Sequence, residues 1–109
     1  MARDRGLETL IGEELASIRG VTEKGMFGGW VWLVDGHLLC GARTASLMVR
    51  LGKGRDAWAL AIDGVEPMFS GTRRMQGWVR AAPHVYDQAR TRRKLLDGAL
   101  AFVRSLPPK

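Results

Sequence analysis

Cysteine, histidine and long apolar runs are scarce in this chain, and each scarcity closes off a class of function. The 109 residues include one cysteine, Cys40. No internal disulfide can form, a reducing compartment suits the thiol, and it reads as a small buried apolar group. With only His37 and His84 beside that cysteine, the chain falls short of the roughly four N or S ligands of a structural zinc site. His37 and Cys40 also stand three apart on an expected strand, which directs them to opposite faces. The longest apolar run, AWALAI at 57–62, is far below the ~20 residues that span a bilayer. The N-terminal MARDRGLETLIGEEL is broken by charge every few residues, unlike a secretion signal. A cytoplasmic location without membrane contact is the expectation. No repeat, low-complexity tract or long Pro/Gly/Ser-rich linker interrupts the chain, so residues 1–109 read as a single domain. A domain of this size buries roughly two-thirds of the surface its unfolded form exposes.

What the chain has in surplus is positive charge. Seventeen Lys and Arg against eleven Asp and Glu give a formal net charge of +6 and a pI of about 10.4, which favours anionic partners in general and names none.

Leu7, Leu10, Ile11, Leu15 and Ile18 recur at helical spacing up to Gly20, predicting an amphipathic helix over about 5–19. WVWLV, Asp35-Gly36 and HLLCG make a hairpin with an Asp-Gly turn, and SLMVRL follows as a third strand after a polar turn at Arg43 and Thr44. Residues 55–62 suit a short helix ended by Asp63-Gly64. VEPMFS and GWVRAA, separated by GTRRMQ, read as two more strands, the first at a sheet edge because Pro67 lacks a ladder donor. From Pro83 to Leu106 one apolar stripe at helical period predicts a last helix. The order is helix, three strands, helix, two strands, helix: an α+β chain with a five-stranded antiparallel sheet.

The glycine pair Gly28-Gly29 invites a phosphate-binding reading, yet a dinucleotide fingerprint needs glycines between a strand and a helix N-terminus. Here they lead into strand-like WVWLV, and no Lys-Ser or Lys-Thr completes a Walker pattern. Glycines beside a strand instead mark a bulge or the close approach of another backbone. No cofactor is expected.

MFGG, the Asp35-Gly36 turn, LMVRLG at 47–52, MQGWV at 75–79 and ALAFVRSLPPK at the C-terminus together resemble the TfoX N-terminal domain family, over about Val21 to Lys109. The resemblance implies a two-layer α+β domain similar in outline to secretion chaperones, of order α-β(3)-α-β(2)-α. The TfoX/Sxy proteins that give the family its name regulate competence genes in bacteria and look like coactivators working with the cyclic-AMP receptor protein. They carry a second, C-terminal domain with no counterpart in this sequence, so a stand-alone role is expected. The family supplies no catalytic residues to carry over.

Candidate chemistry beyond that is thin. Ser70, His84 and Asp87 are a conceivable nucleophile, base and acid, but no nucleophile-elbow motif supports them. The carboxylates Glu13-Glu14 and Asp63 to Glu66 read as solvated faces. Arg90, Arg93 and Lys94 share one side of the last helix with Arg104, Asp87 and Asp97, while Arg73 and Arg74 sit in the loop between the final strands. These five basic residues, Arg73, Arg74, Arg90, Arg93 and Lys94, are the candidate contact surface for a protein partner or for nucleic-acid phosphates. Arg92 falls inside the apolar stripe and must snorkel or find a carboxylate.

Trp30, Trp32 and Val34 alternate on one face of the first strand, with Val31 and Leu33 on the other. Both faces are apolar although a two-layer fold covers one, so the surplus side suits a partner or a second copy of the chain. The competing expectation is that the last helix or a terminal segment wraps over the tryptophans. The non-enzymatic interaction module is the leading functional reading, with direct nucleic-acid binding as its alternative.

Overall fold

The computed structural model describes residues 3–26 and 28–108. Phe27, inside the glycine motif, lies outside the described residues, as do residues 1, 2 and 109.

The first helix, α1 (Arg5–Leu15), starts where Asp4 adopts an extended backbone and its carboxylate accepts the Leu7 amide, satisfying one of the orphan donors of a helix start. It ends a turn before the expected position: Gly20, at φ +82°, follows a short turn, and its carbonyl accepts the Asp35 amide at 3.1 Å. Four strands then run as an antiparallel meander, β1 (Val21–Met26), β2 (Gly29–Val34), β3 (His37–Arg43) and β4 (Ser46–Arg50). After α2 (Ala57–Leu60), the hairpin β5 (Val65–Ser70) and β6 (Arg73–Ala81) joins the sheet through β6 against β4. The strand order is β1-β2-β3-β4-β6-β5, which leaves the Pro67 strand at an edge, as its missing donor requires.

The sheet has six strands, one more than the sequence pattern predicts. The extra strand is β1, VTEKGM, exposed along most of its length. No alternation of apolar residues marks it, and it is held by its pairing from Val21 opposite Val34 to Met26 opposite Gly29. The last helix also divides, into α3 (Pro83–Tyr86) and α4 (Ala89–Arg104). Between them Gln88 takes an extended backbone, and its carbonyl accepts the Arg92 amide to open the new helix. The observed order is thus α-β(4)-α-β(2)-α-α, with the α+β layering intact.

The β2–β3 and β3–β4 turns use positive φ: Asp35 and Gly36 at +52° and +85°, the combination of a type I′ hairpin turn, and Ala45 at +53°. Gly29 sits where a Cβ would fall 2.3 Å from the Ala42 carbonyl oxygen. The glycine motif therefore lets two strand backbones close up, and it leads from strand to strand.

The helices cover one face of the sheet. Leu7, Ile11 and Leu15 of α1 and Leu95, Leu96, Ala99, Leu100 and Val103 of α4 form one buried cluster with Trp32, Val34, Leu39, Cys40, Leu47, Val49 and Val79. A β-bulge changes the parity of β3. Trp32 pairs Cys40 while Leu33 pairs Leu38, so Leu39 is the extra residue, and both Leu39 and Cys40 are fully buried. The bulge places Cys40 and His37 on the same face as their partners Trp32 and Val34, against the opposite-face expectation, because a strict period of two fails across an inserted residue. His37 is occupied structurally: its Nε2 donates to the Pro107 carbonyl, fastening the C-terminal segment to the start of β3. Burial pushes the Cys40 thiol far above its ordinary value, which leaves it an inert apolar group.

Candidate functional site: the uncovered sheet face

Alternation along paired strands gives the sheet a second face. Leu47, Val49, Val79 and Ala81 point into the core, so their neighbours Met48, Trp78 and Arg80, with Met48 matched to Arg80, point away from the helices. Arg50, matched with Trp78 at the end of β4, holds its guanidinium 5.7 Å from the Trp78 ring and 5.2 Å from the Phe102 ring of α4. Val31, Leu33, Leu38 and Gly41 share that face through the same register. The tryptophan face is the covered one. Trp32 lies in the core, and Arg3, held by Glu8 through two hydrogen bonds of 2.6 and 2.7 Å, lies 4.5 Å from the Trp30 ring. The terminal segment thus takes part in covering the tryptophans, and the surplus apolar face is that of Val31 and Leu33.

This outer face is concave, a groove of about 930 Å³. Its floor crosses β2, β3, β4 and β6, with Val31, Gly41, Met48 and Trp78 among its lining residues. Gly41 is fitted to Met48: a Cβ there would lie 2.8 Å from the Met48 Cε. One wall is the far half of the β5–β6 hairpin. β6 pairs β4 only over Trp78–Ala81, so the hairpin beyond Gly77 is a free arm, and its Met68, Phe69 and Met75 line the same groove as Val31. Gly77, at φ +86°, makes the bend: its carbonyl accepts the Leu51 and Gly52 amides, and a Cβ on it would strike the Gly52 carbonyl carbon at 2.4 Å. The apolar lining includes four methionines, Met26, Met48, Met68 and Met75, and Phe69 is 54% exposed.

The rim is basic. Arg43, Lys53, Arg73, Arg74 and Arg80 all border the groove. Arg74 is neutralised by Asp56 at 3.3 Å, and Arg80 reaches the Ser46 hydroxyl. Arg43, Lys53 and Arg73 form no ion pair with any carboxylate among the described residues.

The five expected contact residues separate into two groups. Arg73 and Arg74 border the groove, in the first positions of β6 instead of a loop, because the hairpin turn is only Gly71-Thr72 with Ser70 opposite Arg73. Arg90, Arg93 and Lys94 are exposed on α4, in the helical layer. Arg93 is drawn to Glu14 at 3.3 Å, and the Lys94 ammonium sits 5.0 Å from the Trp58 ring of α2. Arg92 finds the carboxylate its position demands. Only 8% exposed, it bonds Glu14 through Nε and Nη2 at 3.1 and 3.0 Å and donates through Nη1 to the Tyr86 carbonyl at 2.8 Å.

Sequence reasoning passed over Arg43, Lys53, Arg80 and the methionines. The signal was present in the parity of SLMVR and GWVRA, whose alternate positions hold Met48, Arg50, Trp78 and Arg80. His84, the base of the conceivable triad, is an exposed side chain whose Nε2 donates to the Asp63 carbonyl at 3.1 Å, and Ser70 lies on the groove.

Fold and surface define a small two-layer α+β domain with an uncovered, basic-rimmed sheet face. The chain belongs to the TfoX N-terminal domain family, whose model matches residues 13–103. Comparison with curated proteins gave no match, and comparison with solved structures gave none either. No helix among the described residues is long and apolar enough to cross a membrane.

Proposed function

We propose that this domain is a non-enzymatic protein-interaction module of the bacterial cytoplasm whose working surface is the outer face of the sheet. The observation that carries the reading is the groove itself: methionines and an exposed Phe69 framed by cations, of which Arg43, Lys53 and Arg73 have no carboxylate partner among the described residues. Contiguous apolar surface with a polar border is the ordinary signature of a contact site, and thioether side chains suit surfaces that adapt to a partner. The family resemblance adds the context of transcriptional regulation of the competence type.

The test is capture from native extract with tagged protein, with and without nuclease, comparing the unaltered chain with Phe69→Ser and with Arg90→Ala/Lys94→Ala. A nuclease-resistant partner lost with Phe69→Ser and kept with the α4 variant supports the proposal. Capture indifferent to Phe69 overturns it.

Direct nucleic-acid binding is the second reading, favoured by Arg43, Lys53 and Arg73, which form no ion pair among the described residues. Phosphate contacts make affinity fall steeply with salt, so an oligonucleotide that binds neither at low nor at physiological ionic strength eliminates it.

A further inference from the structure

We infer that the groove takes an acidic amphipathic helix of a partner protein; this rests on the interaction-module reading above and specifies what that partner presents. Three observations select the occupant.

Over the floor, β2, β3, β4 and the Trp78–Ala81 part of β6 are hydrogen-bonded on both sides, while residues 73–76 of β6, on the arm, have no β4 partner. An occupant that lies across the floor therefore finds no main chain to pair with there and is held by side chains. The floor spans three strand spacings from Val31 on β2 to Trp78 on β6, roughly 14 Å at about 4.8 Å per strand. That width suits the ~10 Å cylinder of a helix with its side chains and leaves a single extended chain loosely held.

The lining then separates peptide from nucleic acid. Single strands of nucleic acid are bound by stacking bases on exposed aromatic rings. Of the three aromatic residues in the lining, Trp30 carries the Arg3 guanidinium at 4.5 Å and Trp78 the Arg50 guanidinium at 5.7 Å, which leaves the exposed Phe69 as a single stacking platform beside Met26, Met48, Met68 and Met75. Flexible thioethers instead mould around the Leu, Ile or Phe side chains of a helix, which repeat at i, i+3/i+4 and i+7.

Charge decides the remaining choice. Glu66 is matched with Arg80 on the outer face, while Arg43, Lys53 and Arg73 border the groove without carboxylate partners among the described residues. A second copy would set one basic rim against another, and like-charge juxtaposition opposes such an interface. Acidic residues flanking the apolar stripe complement the rim.

The experiment is selection of a phage-displayed library of random 16-residue peptides on the full chain, followed by titration of the enriched peptides. Expected are sequences of net negative charge with an apolar stripe at helical period. Their binding should weaken by about tenfold or more with Phe69→Ser, as for an aromatic contact at an interface centre. It should weaken and become less salt-sensitive with Arg43→Glu/Arg73→Glu, and be unchanged with Arg90→Glu on α4. Methyl resonances of Met26, Met48, Met68 and Met75 should shift on peptide addition, a readout on the unaltered chain that survives any variant failing to fold.

Enrichment of basic or stripe-free peptides overturns the inference, as does failure to enrich any peptide that shifts those methyl signals. Displacement of the peptides by a (dT)15 oligonucleotide that binds more tightly assigns the groove to nucleic acid. Methyl shifts that depend on protein concentration alone, with a sedimenting dimer, assign it to a second copy; both results also overturn the inference. Should the library fail while Phe69-dependent capture from extract persists, the helix is wrong and the interaction module stands.

Discussion

The two faces of the central strands share one backbone and have opposite fates. In β4, Leu47 and Val49 are fully buried under α4, while Met48 and Arg50, one position along, are only partly covered. In β6, Val79 and Ala81 go in, and Trp78 and Arg80 go out. The inner face is mainly aliphatic, with Trp32 among its buried residues, and is joined to all four helices, α1 to α4. The outer face mixes thioethers, aromatic rings and guanidinium groups around a groove that the described chain does not fill. The difference teaches that the apolar surplus is divided: one half holds the fold together, the other is held up by it.

Substitutions sharpen this contrast, and the largest loss belongs to the inner face. Leu39→Ala, at the fully buried bulge, should cost about 3–4 kcal/mol through lost transfer energy and a cavity. Met48→Ala on the outer face should cost about 1 kcal/mol, since less apolar area leaves the protein. Urea midpoints at constant slope would measure both. Equal losses would erase the distinction between the faces. Cys40, beside Leu39, supplies an independent reading: a disulfide reagent should label it no faster than the sheet opens, because burial keeps the thiol protonated.

Next comes the charged seam between α1 and α4. Arg92→Ala leaves Glu14 with the exposed Arg93 alone and takes the donor from the Tyr86 carbonyl, and should cost about 2–3 kcal/mol, as for a buried group losing charged hydrogen bonds. Arg93→Ala removes an exposed partner of the same carboxylate and should cost no more than about 0.5 kcal/mol. Similar values for the two, by thermal unfolding, would mean that burial does not govern this seam.

Asp4→Ala is a smaller perturbation. Its carboxylate caps α1 through the Leu7 amide and also accepts the Ala45 amide at 3.0 Å, so one side chain ties the first helix to the β3–β4 turn. A loss of about 1–2 kcal/mol is expected, the upper part of the range for a helix cap. Asp4→Asn should recover part of it, because Asn caps nearly as well. The smallest effect on stability belongs to Phe69→Ser, which should stay within about 0.5 kcal/mol while removing partner capture. A large unfolding effect there would show that the arm belongs to the core and is no docking wall.

The legible parts of the chain are those where one period dominates. The α1 stripe, the Asp35-Gly36 hairpin and the edge position of Pro67 follow from local pattern, which left Arg92 either to snorkel or to find a carboxylate; the fold supplied Glu14, from α1. β1 escaped because VTEKGM carries no alternation: an exposed edge strand is fixed by its neighbour's ladder, and β2 supplies it. The parity of His37 and Cys40 escaped because an inserted residue leaves no mark in composition. The candidate surface was half-visible. Arg73 and Arg74 were found as a basic cluster, yet their company of Met68, Met75 and Arg43 depends on the arm bending at Gly77.

By itself, the sequence determined the α+β class, the order of most elements and the structural service of Gly29, because helical period, strand alternation and turn chemistry act over a few neighbours. Only the tertiary structure decided which apolar face the helices would take and which cations would meet at the groove. Those outcomes depend on pairing between residues such as Arg50 and Trp78, far apart along the chain, and on a bulge and a bend whose geometry is set by the strands beside them.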